Sequence, residues 1–286
     1  MTNKIKFALV VLLLAVGCNQ SYEFYEEMES TPFEVVEFTP APGQFINEGY
    51  TATSMAEACA YAQQRFDSRY FVSLGGFGGY IVVKCAKPIN SSGGYDFGIY
   101  GNSFDGSSEP GVVWVAYDSN SNGVADDEWF EIYGSDSEQN STLRNYQITY
   151  SRTDDPTKIA WLDSKGESGI IERNNAHKQE YFPTWIGADS YTLSGTLLPH
   201  NSEWNEAMGE WYLKSLEWGY ADNYNAADST TDKANRFRIS DARTASGKAA
   251  NLTHIDFIKV QSAIHRINSA IGETSTEVSG FVSYSE

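Results

Sequence analysis

The chain reads as an all-β protein, a jelly-roll-like β-sandwich with one short N-terminal helix and long aromatic-rich loops. Three observations predict this. Ten short runs rich in Val, Ile, Tyr and Phe recur between polar turns, from YFVSL at Tyr70 to STEVSGFVSY at Ser275. Only one stretch keeps helical spacing. Neither a fixed-period repeat nor a Pro- or Ser-rich linker divides residues 33–286, so one domain is the expectation there.

The N-terminus, MTNKIKFALVVLLLAVGCNQ, sets Lys4 and Lys6 before the apolar run Phe7 to Val16. That run is too short for a permanent membrane span and has the layout of a secretory signal. Small residues lead directly into Cys18, as in the bacterial lipobox. Residues 1–17 are therefore expected to be a lipoprotein signal peptide, and Cys18 the lipidated residue that anchors the chain to a membrane. Residues 18–32 are acidic and aperiodic and read as a tether. Acidic residues soon after such a cysteine resemble the surface-export signal of Bacteroidetes lipoproteins, which implies the cell-surface side of the outer membrane.

Charge narrows the partners. The full chain carries 20 basic and 38 acidic residues, a formal net charge of −18; loss of Lys4 and Lys6 with the leader would take −18 to −20. Such a chain avoids nucleic acid and anionic membrane faces, and it tolerates bound cations. An exported protein permits a disulfide between Cys59 and Cys85, and two free thiols are the equal alternative.

Along the chain, FEVVEFT alternates like a strand until Pro40 and Pro42 break it. In SMAEACAYAQQRF, Ser54 and Glu57 form a capping box, while Met55, Ala58, Cys59, Ala62 and Phe66 keep helical spacing. GGFGG (Gly75 to Gly79) has no helix after it to bind phosphate, and reads as a tight hairpin between YFVSL and YIVVKC. His177, His200, His254 and His265 lack zinc-ligand spacing.

The segment YDSNSNGVADDEW raises the first question of chemistry. Asp118, Asn120 and Asn122 stand at loop positions 1, 3 and 5, and Gly123 follows at 6. Calcium loops use this spacing, with a glycine for the sharp turn and a carbonyl ligand from the next residue, here Val124. Position 12 is Trp129 where an EF-hand requires glutamate, so this is no EF-hand. Asp126 and Asp127 supply the closing carboxylates instead, and one Ca2+ is expected. A polar hairpin that needs no ion is the alternative, and a catalytic carboxylate pair is the third option. NSFDGSSEPG places Asn102, Asp105 and Glu109 before a strand, as a second ion site or a ligand-free turn.

The stretch from Asn174 to Asp228 differs in character. Trp185, Trp204, Trp211 and Trp218 lie there among acids, tyrosines and asparagines, in what reads as long loops or short hairpins across a β frame. Most buried aromatics are core. Tryptophans displayed beside Asp and Asn suit sugars or planar ligands, because the rings give area and the polar groups fix orientation. Glu203, Glu206 and Glu210 offer paired acids for a glycan-cleaving enzyme, or a solvated acidic face.

Several long segments carry a family likeness: FTPAPGQFINEGYTAT, AEACAYAQQRF, YFVSLGGFGGYIVV, YDFGIYGNSFDGSSEPGVVWVAYDSNSNG, WGYADN, IDFIKVQSA and STEVSGF. Together they resemble a Bacteroides family of cell-surface lipoproteins, often described only as cell-surface or PKD-domain proteins. Genes of that family tend to accompany TonB-dependent outer-membrane receptors and surface lipoproteins for cobalamin uptake. The resemblance implies a non-enzymatic surface protein that captures a corrinoid for such a receptor, while the tryptophan-rich stretch keeps a glycan as the second candidate nutrient. A structural adaptor of a receptor complex is the remaining reading.

Overall fold

A computed structural model describes residues 33–207, 209–225, 234–268 and 272–284. The leader, Cys18 and the tether lie outside these residues. The elements are β1 (Phe33–Thr39), α1 (Met55–Asp67), β2 (Val72–Ser73), β3 (Tyr80–Asn90), β4 (Phe97–Tyr100), β5 (Gly111–Ala116) and β6 (Phe130–Ile132). The middle holds β7 (Leu143–Arg152), β8 (Lys158–Asp163), β9 (Ser168–Glu172), β10 (Ser190–Leu197), β11 (Ser202–Asn205) and β12 (Glu210–Leu213). Then come β13 (Ala234–Phe237), β14 (Ala242–Arg243), β15 (His254–Ser262), β16 (Ile267–Asn268), β17 (Gly272–Glu273), β18 (Glu277–Val278) and β19 (Gly280–Ser283). This is the all-β, sandwich-like architecture that the spacing of short strands predicts, with a single α-helix among the described residues.

The organising element is a six-stranded antiparallel sheet in the order β1-β3-β15-β5-β6-β14. Its central register aligns Val83, Ile258 and Val115 across β3, β15 and β5. Branched side chains suit this pleated, buried position. That face packs on Ala58, Ala62 and Phe66 of α1, and on Phe97, Phe237 and Phe281 from the three-stranded sheet β13-β4-β19. A second core forms on the four-stranded sheet β10-β7-β8-β9, where Ile148, Tyr150, Ile159 and Leu193 close over Phe77.

The helix begins as its sequence directs. Ser54 Oγ accepts the Glu57 N–H at 3.3 Å. The Glu57 carboxylate reaches back to the Thr53 N–H at 2.7 Å, one residue earlier than a standard capping box. Cys59 and Cys85 are both free thiols, which settles that alternative.

Two expectations need correction. GGFGG is a turn but no hairpin, because β2 pairs with β18 rather than with β3. It exists for close backbone approach: a Cβ on Gly75, where φ is +69°, would stand 2.0 Å from the Ala41 carbonyl oxygen. The hairpin β8–β9 falls outside the ten runs read from sequence. Ile159 and Ile171 point inward, but Leu162 and Ile170 are exposed, and this blurs the alternation that marks a half-buried strand.

Candidate functional site

The loop between β5 and β6 closes around Asp118. One carboxylate oxygen accepts the Asn122 N–H at 3.0 Å and the other the Gly123 N–H at 2.7 Å. Asn120 Oδ1 accepts the same Asn122 N–H at 2.9 Å, and Asn122 Oδ1 accepts the Val124 N–H at 2.8 Å. Ser121 and Gly123 take left-handed backbone, with φ of +58° and +74°. The Asp126 carboxylate lies against the amides of Asn120 and Asn122 at 3.2–3.5 Å. Asp127 accepts from the Ser119 hydroxyl with one oxygen, while its other oxygen is shielded from solvent and has no hydrogen-bond partner.

The five side chains expected to ligate thus share one wrapped loop, and an orphaned carboxylate oxygen lies among them. A hard cation with oxygen ligands would satisfy that oxygen, so the residue set fits calcium. Val124 is 54% exposed at the rim. Lys84 from β3 ties the loop down by donating to the Gly123 carbonyl at 3.0 Å.

A second oxygen cluster lies inside the fold. Glu109, Asp222 and Glu277 each bring a carboxylate oxygen within 4.8 Å of the other two. Asp222 accepts the Asn102 N–H at 3.0 Å and the Glu277 N–H at 2.9 Å, and Glu109 accepts the Ser275 N–H at 3.0 Å. The Asn102 side-chain amide, with its NH2 inward, donates at 3.2 Å to both Asp222 and Glu277. Burial raises all three carboxyl pKa values, and the neighbouring Glu109 charge raises those of Asp222 and Glu277 further. A proton or a bound cation among the three carboxylates would relieve their mutual repulsion.

Of the second constellation expected from sequence, Asn102 and Glu109 meet in this cluster. Asp105 departs from it to accept from the Tyr212 hydroxyl on β12. Nothing local marks Asp222 or Glu277 as their partners, since one comes from a distant loop and the other from β18, and only the sheet topology gathers them.

The four candidate tryptophans are divided among three places. Trp185 packs against the main core, its ring 5.6 Å from Phe38, and its indole N–H donates to the Phe38 carbonyl at 3.1 Å. Trp185 is therefore a packing residue, and the ligand role expected for it is withdrawn. Trp204 and Trp211 face each other across the β11–β12 hairpin, edge to face at 5.7 Å, and remain 46% and 41% exposed. The Arg266 guanidinium lies 4.7 Å from the Trp211 ring. Trp218 stands apart, 39% exposed at the rim of a separate cleft.

Glu203, Glu206 and Glu210 are exposed on or beside the same hairpin, and Glu203 pairs with Lys214 at 2.5 Å. The chemistry available on the hairpin is stacking and hydrogen bonding. A search of known protein families finds no family model that matches this chain, and no curated protein matches it.

Proposed function

We propose that this protein is a non-catalytic capture lipoprotein of the outer cell surface, stabilised by calcium. It would take up a nutrient at the Trp204–Trp211 hairpin and pass it to a TonB-dependent receptor. The observation that carries the reading is the paired display of two large indoles, each more than 40% exposed, on a short hairpin. Exposed aromatics of this size cost solvation and are kept where a partner covers them. The hairpin projects beside the loop of Phe104 and Asp105, and Phe104 is itself 51% exposed. A broad apolar face with acids and amides at its edge suits a corrinoid, which the family resemblance implies, or a glycan, which the displayed tryptophans suit.

The test is a binding screen of the purified protein against cyanocobalamin and a glycan array, followed by calorimetry. Capture of either class, lost in the Trp204→Ala and Trp211→Ala variants, supports the reading. Absence of binding by both classes leaves the adaptor reading in its place.

A further inference from the structure

A cleft of about 260 Å3 opens beneath Trp218, away from the β11–β12 hairpin, with Tyr95, Tyr133, Arg236, Arg238 and Asp241 on its walls. We propose that it is a second binding site, for a flat ligand that carries a carboxylate or phosphate group. The argument starts from charge. In a chain with nearly twice as many acids as bases, Arg236 and Arg238 both line this one cleft beside the Tyr95 ring, and two more arginines flank its Tyr133 wall from outside. Arg238 lies 4.2 Å from the Tyr95 ring centre and Arg236 5.7 Å; Arg144 lies 4.4 Å from that of Tyr133 and Arg243 5.5 Å.

Two of the four already have oxygen partners. Arg144 pairs with Glu131 at 3.1 Å, and Arg243 donates to the Ser240 and Ala242 carbonyls. Arg236 and Arg238 are different. Neither forms an ion pair or donates a side-chain hydrogen bond among the described residues, and the Arg236 Nε is buried with no partner. Two cleft-lining guanidiniums without an acid partner leave their terminal N–H groups for an incoming acceptor, and a bidentate oxyanion is the group whose shape fits that fork.

Neither the buried Asp96 nearby nor Asp241, the acid that lines the cleft, fills this role. Asp96 spends its oxygens on the Ser92 N–H and hydroxyl and on the Ile239 N–H. Asp241 lines the wall but comes within ion-pair distance of neither arginine. It offsets one of the positive charges of Arg236, Arg238 and Arg243, and leaves the cleft cationic.

The aromatic rim supplies the second half of the recognition. Trp218 and Tyr95 offer ring faces, and the backbone that carries Trp218 is fixed. Ser135 N–H donates to the Trp218 carbonyl at 3.0 Å. Gly219, at φ +87°, lies so close to Gly134 that a Cβ would stand 2.5 Å from the Gly134 Cα. A rim held this firmly loses little freedom on binding. An anionic head for the arginines and a flat ring for the indole define the ligand class.

Calorimetry and tryptophan fluorescence with phenyl phosphate and benzoate as probes, and benzyl alcohol as the neutral control, test the assignment. At least one anion should bind saturably below about 10 mM, and the alcohol at least tenfold more weakly. Arg238→Gln and Arg236→Gln should each weaken binding tenfold or more at unchanged melting temperature. Trp204→Ala should leave it as in the wild type, which separates this site from the hairpin. Whichever anion binds more tightly identifies the head group. If an arginine variant fails to fold, Trp218→Ala decides, with a tenfold loss expected because its ring stands at the rim. No saturable binding of either anion, or wild-type binding in the variants, overturns the proposal.

Discussion

Trp185 and the Trp204–Trp211 pair come from one aromatic-rich stretch of chain, yet the fold uses them in opposite ways. Trp185 turns inward against Phe38 and Tyr50 and gives its N–H to a backbone carbonyl. Trp204 and Trp211 turn outward and touch each other and, through Trp211, Arg266. The residue type is the same in both places. What differs is the element that carries them: a loop laid over the core in one case, a free two-stranded hairpin in the other. Burial decides whether an indole is structural or available, and burial is a property of topology.

That contrast can be broken most strongly at Trp185. Trp185→Ala should destabilise the protein by about 3 kcal/mol, since it leaves a cavity beside Phe38 and an unpaired carbonyl. Chemical denaturation should show the midpoint falling, while ligand capture by the remaining folded protein is unchanged. A stable Trp185→Ala variant that had lost capture would place the binding face at α1 instead.

The same inward–outward contrast holds for the carboxylates. The loop of Asp118 faces solvent, and on the proposed reading an external cation completes it. Chelation with EDTA should remove about 2.7 kcal/mol of stability if free calcium had stood at a hundred times its Kd. Asp118→Ala should abolish the response. An identical melting curve with and without EDTA, and no metal by elemental analysis, would leave the loop as a plain polar hairpin.

Glu273 faces inward, where burial pushes its pKa up to about 7. A carboxyl raised in the folded state contributes stability that is complete below the unfolded value of about 4.5, and that is lost as pH rises through about 7. Between those limits stability should fall by on the order of 2 kcal/mol in calcium-free buffer, and Glu273→Gln should flatten the profile. A profile equally steep in the variant would move the titration to another group.

How much of this was legible follows from the same distinction. The short strands, the helix with its Ser54 cap and the Asp118 loop are local patterns, each complete within about a dozen residues, so the sequence displays them. The Glu109–Asp222–Glu277 cluster and the arginines around Tyr95 and Tyr133 are assembled from strands and loops far apart in the chain, and no spacing rule reaches them. GGFGG lay between the two. Its glycines announced a tight turn, but which strand β2 would pair with depended on β18, at the other end of the chain. Trp185 was misassigned for this reason too, because its partner Phe38 belongs to β1.

The smallest expected change in stability belongs to the hairpin, and it accompanies the largest change in function. Trp204→Ala and Trp211→Ala remove exposed rings and should shift stability by less than about 0.5 kcal/mol. The most direct test of the capture reading is a calorimetric titration of wild type and the Trp204→Ala/Trp211→Ala double variant with whichever of cyanocobalamin or a glycan binds in the screen. The account predicts saturable heat in the wild type, and at least a tenfold loss of affinity in a double variant that melts normally. Equal affinity in the two proteins would contradict it and remove the hairpin from the binding face.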